Sequence, residues 1–323
     1  MKLLHCSCIS GRTSLKTGKE ENFHENNLLL LVRLFAIILA IFTIVTSHVY
    51  ASGAFPLDDP STVVVGLTRI HTVRNKETLI LLARKYGVGY NEIADANSNT
   101  DPWVPDNGTK VIIPTLWLLP EILDNGIIMN LAEMRLYYFF SIEKNKYVIT
   151  YPIGIGRQGF GTPTGTFKVT LKIKDPVWRV PENIRVEQPD LPAFVPPGPD
   201  NPLGGYWMQL SINGYGIHGT NKPYGIGRNI SHGCIRLYPE DIEVLYKFIA
   251  TGTTVKILNE PVKTGINNNK IYIEVHRSER KDLELLDMAV NKLSRKRLLE
   301  HVDASLMIHA IKSATGLPAV ISR

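Results

Sequence analysis

The sequence predicts a mostly β protein, with a small βααβ unit in front and helices at its flanks. Three observations predict this. From Gly126 to Leu258 the apolar residues fall in short runs punctuated by glycine and proline, as β segments do. Over residues 69–114 the pattern reads strand, helix, helix, strand. Over the last forty or so residues the apolar spacing turns helical.

Taken in order, the chain begins with a basic leader (Lys2, Arg12, Lys16, Lys19) and an apolar run, Leu28 to Thr46, broken only by Arg33. Val49-Tyr50-Ala51 follows, a small-residue pattern suited to signal-peptidase cleavage. Residues 1–51 therefore read as a signal peptide or an N-terminal membrane anchor. Either places the rest outside the cytoplasmic membrane. Cys6 and Cys8 belong to this leader and read as inert. Residues 52–68, with Gly53, Pro56 and Pro60, read as a linker.

The βααβ unit occupies 69–115. Ile70 to Val73 alternates as a short strand. Leu79, Leu82, Ala83 and Tyr86 share one helical face, and Gly87 ends that helix. Asn91 is the expected cap of a second helix carrying Ile93 and Ala96. Asp106-Asn107-Gly108 is a turn before the strand Lys110 to Ile113.

The main domain is expected over 120–260. Gly126 to Asn130, Met134 to Phe140 and Tyr147 to Pro152 read as strands. Gly161 to Phe167 is a turn leading into Lys168 to Ile173. Asp175 to Pro202 carries eight prolines. Proline cannot donate to a ladder, so this segment is expected as an ordered loop or lid over a surface. Tyr206 to Leu210 and Tyr215 to His218 return to strand. Pro239-Glu240-Asp241 opens a helix, with Val244, Phe248 and Ile249 expected to face inward. Thr254 to Leu258 closes the domain. Residues 261–323 add the strand Lys270 to Val275 and two helices, the first with Leu283, Leu286, Val290 and Leu293 on its apolar face, the second near Asp303 to Ser313.

Composition is that of a globular protein, 44% hydrophobic and 20% charged. The net charge of +6 fits a polyanionic partner. No long basic run is present, so nucleic acid is not the expected partner.

Cys234 is the one cysteine beyond the leader, in Ser231-His232-Gly233-Cys234-Ile235-Arg236, with His218 upstream. A lone exported cysteine is either a buried hydrophobe or a reactive thiol. Thiol plus imidazole is the minimal equipment of a cysteine nucleophile. In extended chain His232, Cys234 and Arg236 share one face, while Ile235 and Leu237 face the core. Imidazole and guanidinium beside the sulfur are expected to lower its pKa. Gly233 permits close backbone approach, and nearby N–H groups are candidates for an oxyanion hole. Ser231 reads as a hydrogen-bonding support. Tyr206, Trp207 and Asn221 are candidates for the cleft wall. A zinc site from His218, His232 and Cys234 lacks further ligands, so no metal or other cofactor is expected.

Residues 69–115 resemble a LysM module through Val73, Thr78-Leu79, Ala83, Tyr86-Gly87-Val88, Ile93, Asn97 and Ile113-Pro114. One departure is Lys76-Glu77 where the family has Gly-Asp, which disturbs a tight turn if that turn needs positive φ. His218-Gly219-Thr220 with Ser231-His232-Gly233-Cys234 resembles the signature of the YkuD-type L,D-transpeptidases. The layout is most similar to the periplasmic, LysM-bearing branch (the ErfK/YbiS/YcfS/YnhG group). The resemblance implies a β-sandwich or barrel-like catalytic domain, Cys234 as nucleophile and His218 as general base, oriented by the Gly219 carbonyl. It implies cleavage of the diaminopimelate–D-Ala bond of a peptidoglycan tetrapeptide stem. The acyl group then passes to a stem-peptide amine or to a lysine of an outer-membrane lipoprotein. The expected partners are thus peptidoglycan stems and glycan strands. A hydrolase of the same fold, a non-catalytic wall-binding protein and a cysteine peptidase remain the alternatives.

Overall fold

The structure is a computed structural model describing residues 53–57, 62–120 and 125–323. The expected signal or anchor, 1–51, lies outside the described residues. Among the described residues no helix is long and apolar enough to cross a membrane.

The β1 strand (Arg69–Thr72), α1 (Leu79–Lys85), α2 (Tyr90–Ala96) and β2 (Lys110–Ile113) form the βααβ unit, with β1 and β2 antiparallel. Thr78 caps α1, its hydroxyl accepting from the Leu81 N–H, and Gly87 leaves the helix at φ +64°. The second helix starts earlier than expected. Its N-cap is Gly89, not Asn91, and Glu92 reaches back to accept the Gly89 N–H at 2.5 Å. Glu92 supplies only the returning half of a capping box, and the orphan amides of Tyr90 and Asn91 go instead to the carbonyls of Ile226 and Gly227. The Lys76 departure carries the strain anticipated for it, since Lys76 sits at φ +61°.

The main domain contains β3 (Gly126–Asn130), β4 (Arg135–Ile142), β5 (Asn145–Pro152), β6 (Gly165–Lys174), α3 (Glu182–Glu187), β7 (Tyr206–Leu210), β8 (Gly216–His218), β9 (Ile235–Arg236), α4 (Pro239–Phe248) and β10 (Thr254–Leu258). One nine-stranded sheet runs in the order Phe55–Pro56, β5, β4, β3, β10, β6, β7, β8, β9. The first half of β6, Gly165 to Lys168, pairs with β10 and the second half with β7, with a register shift between Val169 and Leu171. An irregularity of this kind bends a strand and raises its twist, which lets one sheet curl on itself. The mostly β expectation holds, and both walls of the core come from this one curled sheet.

Every residue of β3 is buried because both of its faces are covered. Ile127 and Met129 face the core shared with β7, β8, β9 and α4. Ile128 faces a second core, where Tyr137, Phe139 and Val148 meet Leu79, Leu82, Ile93 and Val111 of the βααβ unit. The LysM-like unit is therefore welded to the sheet. Two stretches of the expected linker join in, Phe55–Pro56 pairing with β5 and Val64–Gly66 with Leu116–Leu118.

At the weld, Arg135 of β4 is fully buried and makes a bidentate pair with Glu92 of α2, both contacts at 2.8 Å. Its third nitrogen donates to Thr150 Oγ1, and its guanidinium lies 4.3 Å from the Trp117 ring. Beyond the pair, Gly89 and Gly227 meet with no room for a side chain on either. A Cβ on Gly227 would lie 2.3 Å from the Tyr90 nitrogen. The amides of Tyr90 and Asn91 donate to the carbonyls of Ile226 and Gly227.

The α4 helix faces inward through Ile242, Leu245 and Ile249. Val244 and Phe248 do not, Phe248 being 54% exposed. Starting at Pro239, the i, i+3, i+7 stripe runs through 242, one step from the expected set. The C-terminal part pairs β11 (Val262–Asn267), β12 (Lys270–Val275) and β13 (Ala319–Val320) beneath α5 (Asp282–Arg295) and α6 (Ala304–Ser313). The buried face of α5 is Leu285, Ala289 and Leu293, and Leu283 is exposed. Where this part meets the main domain, Lys263 Nζ lies 2.6 Å from both Glu133 and Glu274. His276 adds a contact to Glu274 at 2.7 Å. Glu133, Glu274 and His276 have ligand-like spacing, but the ammonium of Lys263 already occupies the centre. Burial pushes the Glu133 carboxyl upward.

Removing one partner of a buried ion pair leaves the other unpaired, at a cost of about 3–5 kcal/mol. Glu92→Ala is expected to lower unfolding stability by that amount in urea titration, and the double change Glu92→Leu with Arg135→Met by much less. A Glu92→Ala loss within about 1 kcal/mol of zero would show that the weld does not rest on this pair. At the strained turn, Lys76→Gly is expected to stabilise the protein by about 0.5–1 kcal/mol in the same titration.

Candidate active site

The parallel pair β8/β9 sets the register Ile217 to Ile235 and His218 to Arg236. Ile217, Ile235 and Leu237 are fully buried, so the alternate residues must turn to the other face. That alternation puts His218 and Arg236 on the same face, and the Arg236 charge acts on both His218 and Cys234. His232, Cys234 and Arg236 are each partly exposed, but the chain is extended only from Ile235, and Gly233 at φ +107° turns it between His232 and Cys234.

Cys234 is a free thiol whose Sγ donates to the Gly214 carbonyl at 3.5 Å. Its loop is fastened locally. Ser231 Oγ donates to the Cys234 carbonyl at 2.6 Å and accepts the Gly233 N–H at 3.1 Å. The Gly233 amide is thus already engaged, which removes it from the oxyanion donors. Gly233 takes φ +107°, a conformation side-chain-bearing residues rarely adopt. Thr162 pins the same point, donating to the Gly233 carbonyl at 2.8 Å and accepting the Gly156 N–H at 3.0 Å.

His218 is buried, with Nδ1 2.6 Å from the Gly219 carbonyl. A carbonyl only accepts, so the proton sits on Nδ1 and the Nε2 lone pair is left for other work. Trp207, directly opposite on β7, stacks on the ring at 5.6 Å and 28°. Burial, and then the nearby Arg236 charge, push the His218 pKa down to about 3 against the pull of the Gly219 and Leu203 carbonyls. His218 is therefore neutral, as a proton acceptor must be. The Cys234 thiol moves the other way from the sequence expectation. Burial raises it, and the Gly216 backbone and Arg236 only partly offset that. The resting pair is thiol and neutral imidazole. Arg236 is itself half-buried, and its Nε has no hydrogen-bond partner among the described residues.

The proline-rich segment lies over this region as an ordered flap. It contains α3 and a two-stranded ribbon, Trp178–Arg179 with Phe194–Val195. Prolines strip the segment of donors, and the buried Asn201 supplies them. Its amide serves the carbonyls of Pro176, Val195 and Pro196. The flap is latched beside the nucleophile loop. Glu187 of α3 accepts from Arg157 at 2.7 Å and lies 3.1 Å from His232 Nε2. The His232 hydrogen bond, and then the Arg157 charge, hold the Glu187 carboxyl below its ordinary range. Tyr206 packs on Tyr246 at 4.8 Å, and Asn221 donates to the Asp200 carbonyl. Sequence reasoning missed Thr162, Arg157 and Glu187. Thr162 lies in the Gly161–Phe167 turn noted as a motif, whereas Glu187 has no local signal.

A buried imidazole oriented through Nδ1, with a thiol on the neighbouring strand, is the equipment of cysteine acyl transfer. Residues 124–257 match the L,D-transpeptidase catalytic domain (YkuD), and residues 71–114 match the LysM domain. The chain is 37% identical to the probable L,D-transpeptidase YcfS of Escherichia coli (strain K12), over 84% of this chain and 89% of that protein. It is 36% identical to the probable L,D-transpeptidase YbiS of the same organism, over 82% and 90% respectively. Among solved structures, the catalytic domain of the E. faecium L,D-transpeptidase aligns at 24% identity and a TM-score of 0.33, over 43% of this chain and 100% of that one. The chain belongs to the L,D-transpeptidase family and carries a LysM domain.

A thiol raised by burial is expected to show an iodoacetamide reaction rate that still climbs above pH ~9, since only thiolate reacts. Arg236→Gln removes a cation that favours the thiolate and should slow labelling several-fold at pH ~8. A plateau reached below pH ~7 would mean a preformed thiolate.

Proposed function

We propose that the protein is a peptidoglycan L,D-transpeptidase that works through a Cys234 acyl-enzyme. The observation that carries this reading is the β8/β9 pairing, which sets His218 opposite Arg236, two residues beyond Cys234, with His218 Nδ1 locked on the Gly219 carbonyl. Membership of the family supports it.

In the first step His218 Nε2 takes the thiol proton as Cys234 Sγ attacks the carbonyl of the diamino acid in a tetrapeptide stem. The C–N bond to the terminal D-alanine breaks, the proton passes from His218 to the departing amine, and a thioester remains. An acceptor amine then attacks the thioester, His218 takes its excess proton, and the sulfur leaves and is reprotonated. The acceptor is the side-chain amine of a second stem, giving a 3→3 cross-link, or a lysine of an outer-membrane lipoprotein. Arg236, with a buried nitrogen free of protein partners, suits a substrate carboxylate. Trp207 holds the plane of His218 by stacking. Ser231, Gly219 and Gly233 shape the loop, and His232 ties it to the flap. No cofactor takes part in this scheme. The basic leader and apolar run at 1–51 support export to the periplasm, where this substrate is found.

Incubation with disaccharide-tetrapeptide, with and without a lipoprotein-tail peptide, tests the reading by mass spectrometry. The expected result is loss of D-alanine with a cross-linked or lysine-linked product, absent in Cys234→Ala and reduced at least about 10³-fold in His218→Ala. Free tripeptide as sole product would replace transfer with hydrolysis. Identical traces for wild type and Cys234→Ala would leave a wall-binding protein.

A further inference from the structure

A second site lies at the weld between the LysM domain and the catalytic domain. A shallow cleft of about 660 Å³ opens there, bordered by Tyr90 and Asn91 of α2, Arg228 of the loop before Ser231, and Arg277 and Glu279 of the C-terminal part. None of Cys234, His218, Trp207 or Arg236 lines it.

Arg228 is its central group. Its guanidinium carbon lies 4.4 Å from the Tyr90 ring centre and 5.8 Å from that of Trp103. The two rings are themselves 6.0 Å apart. Stacking on π faces holds a guanidinium in place while leaving its N–H edge unused. No carboxylate pairs with Arg228 among the described residues. Arg277 is partly neutralised by Asp95 at 3.0 Å, and Glu279 is the one acid in the lining. The cleft is therefore cationic, with its least compensated charge at Arg228. Trp103 lies outside the lining, next to Tyr90 and Arg228, and its ring, in a residue 52% exposed, offers an apolar face beside that charge. The walls come from both domains, and the hydrogen bonds from Tyr90 and Asn91 to Ile226 and Gly227 fix their spacing before any ligand arrives. A shallow, open cleft suits a stretch of a longer chain better than an enclosed small molecule.

We infer that this cleft binds a carboxylate-bearing muropeptide segment of peptidoglycan. A stem carboxylate pairs with Arg228, and the aliphatic or sugar C–H surface beside it covers Trp103. The identity of the ligand rests on the proposed function; the cationic aromatic cleft does not. The site adds a second hold on the wall polymer, a few residues upstream of the nucleophile along the chain, and takes no part in the chemistry.

The test is calorimetric titration of the purified Cys234→Ala protein with disaccharide-tripeptide, and with the same compound amidated at its carboxylates. Arg228→Glu is expected to weaken binding of the free acid about tenfold or more, and amidation to weaken wild-type-cleft binding similarly. Each loss should largely vanish once the other change is made. Trp103→Ala and Arg277→Gln, at more exposed positions, should each weaken binding about threefold, and they carry the test if Arg228→Glu does not fold. Equal affinity of the acid for the Arg228→Glu and parent proteins, or of acid and amide for the parent, would overturn the inference. D-alanine release from tetrapeptide, measured separately with Cys234 intact, is expected to persist in Trp103→Ala. Its absence in wild type would count against the proposed function and not against this site.

Discussion

The buried pair between Glu92 and Arg135 is the contact on which the arrangement of the chain depends. Two charges have been taken out of water, and they are tolerable only because every oxygen and nitrogen is engaged. Glu92 answers Arg135 with both oxygens, and one of them also takes the Gly89 amide that opens α2. Trp117 covers the guanidinium and donates to Glu92. Shape follows from that demand. The pair fixes α2 against β4, α2 fixes the carbonyls of Ile226 and Gly227, and those carbonyls begin the segment that ends at Cys234. The LysM domain is thus packed into the sheet and touches the segment that leads to the thiol.

The electrostatics of the active site follow from burial more than from neighbouring charge. Desolvation disfavours the charged form of each group, so imidazole and thiol both rest neutral. Arg236 favours the thiolate but also disfavours imidazolium, so its single charge acts with opposite effect on the two partners. Proton transfer must then accompany attack. The Gly219 carbonyl, which orients the ring in place of a carboxylate, adds no counter-charge that would store imidazolium at rest.

What could be read from sequence was whatever depends on spacing. The period-2 runs gave the strands, the period-3.6 runs gave the helices, and the Ser-His-Gly-Cys segment with its upstream histidine marked the place of the thiol. Faces of short helices were less legible, as Phe248 and Leu283 show. A stripe assigned one residue off is rotated by about 100° even when the start of the helix is right, as at Pro239. The capping of α2 was misread because a glycine can serve as N-cap when a glutamate reaches back. The sign of the Cys234 shift was misread because neighbours in sequence are visible and burial is not. Thr162, Arg157 and Glu187 meet the loop from 45 to 75 positions away in the sequence, and no local pattern encodes such meetings.

The Lys263 cluster bears on where the chain can be cut. Glu133 lies early in the main domain, yet the ammonium that neutralises it arrives after β10, and the histidine that completes the group arrives later still. A chain stopped at residue 260 has all nine strands of the curled sheet but lacks the cation that pairs with Glu133. The ionised form of Glu133 inside the sheet therefore rests on a segment that follows the sheet in the chain. The last fifth or so of the chain thus carries the counter-charge for its middle, and a truncation after β10 would strip Glu133 of its cation.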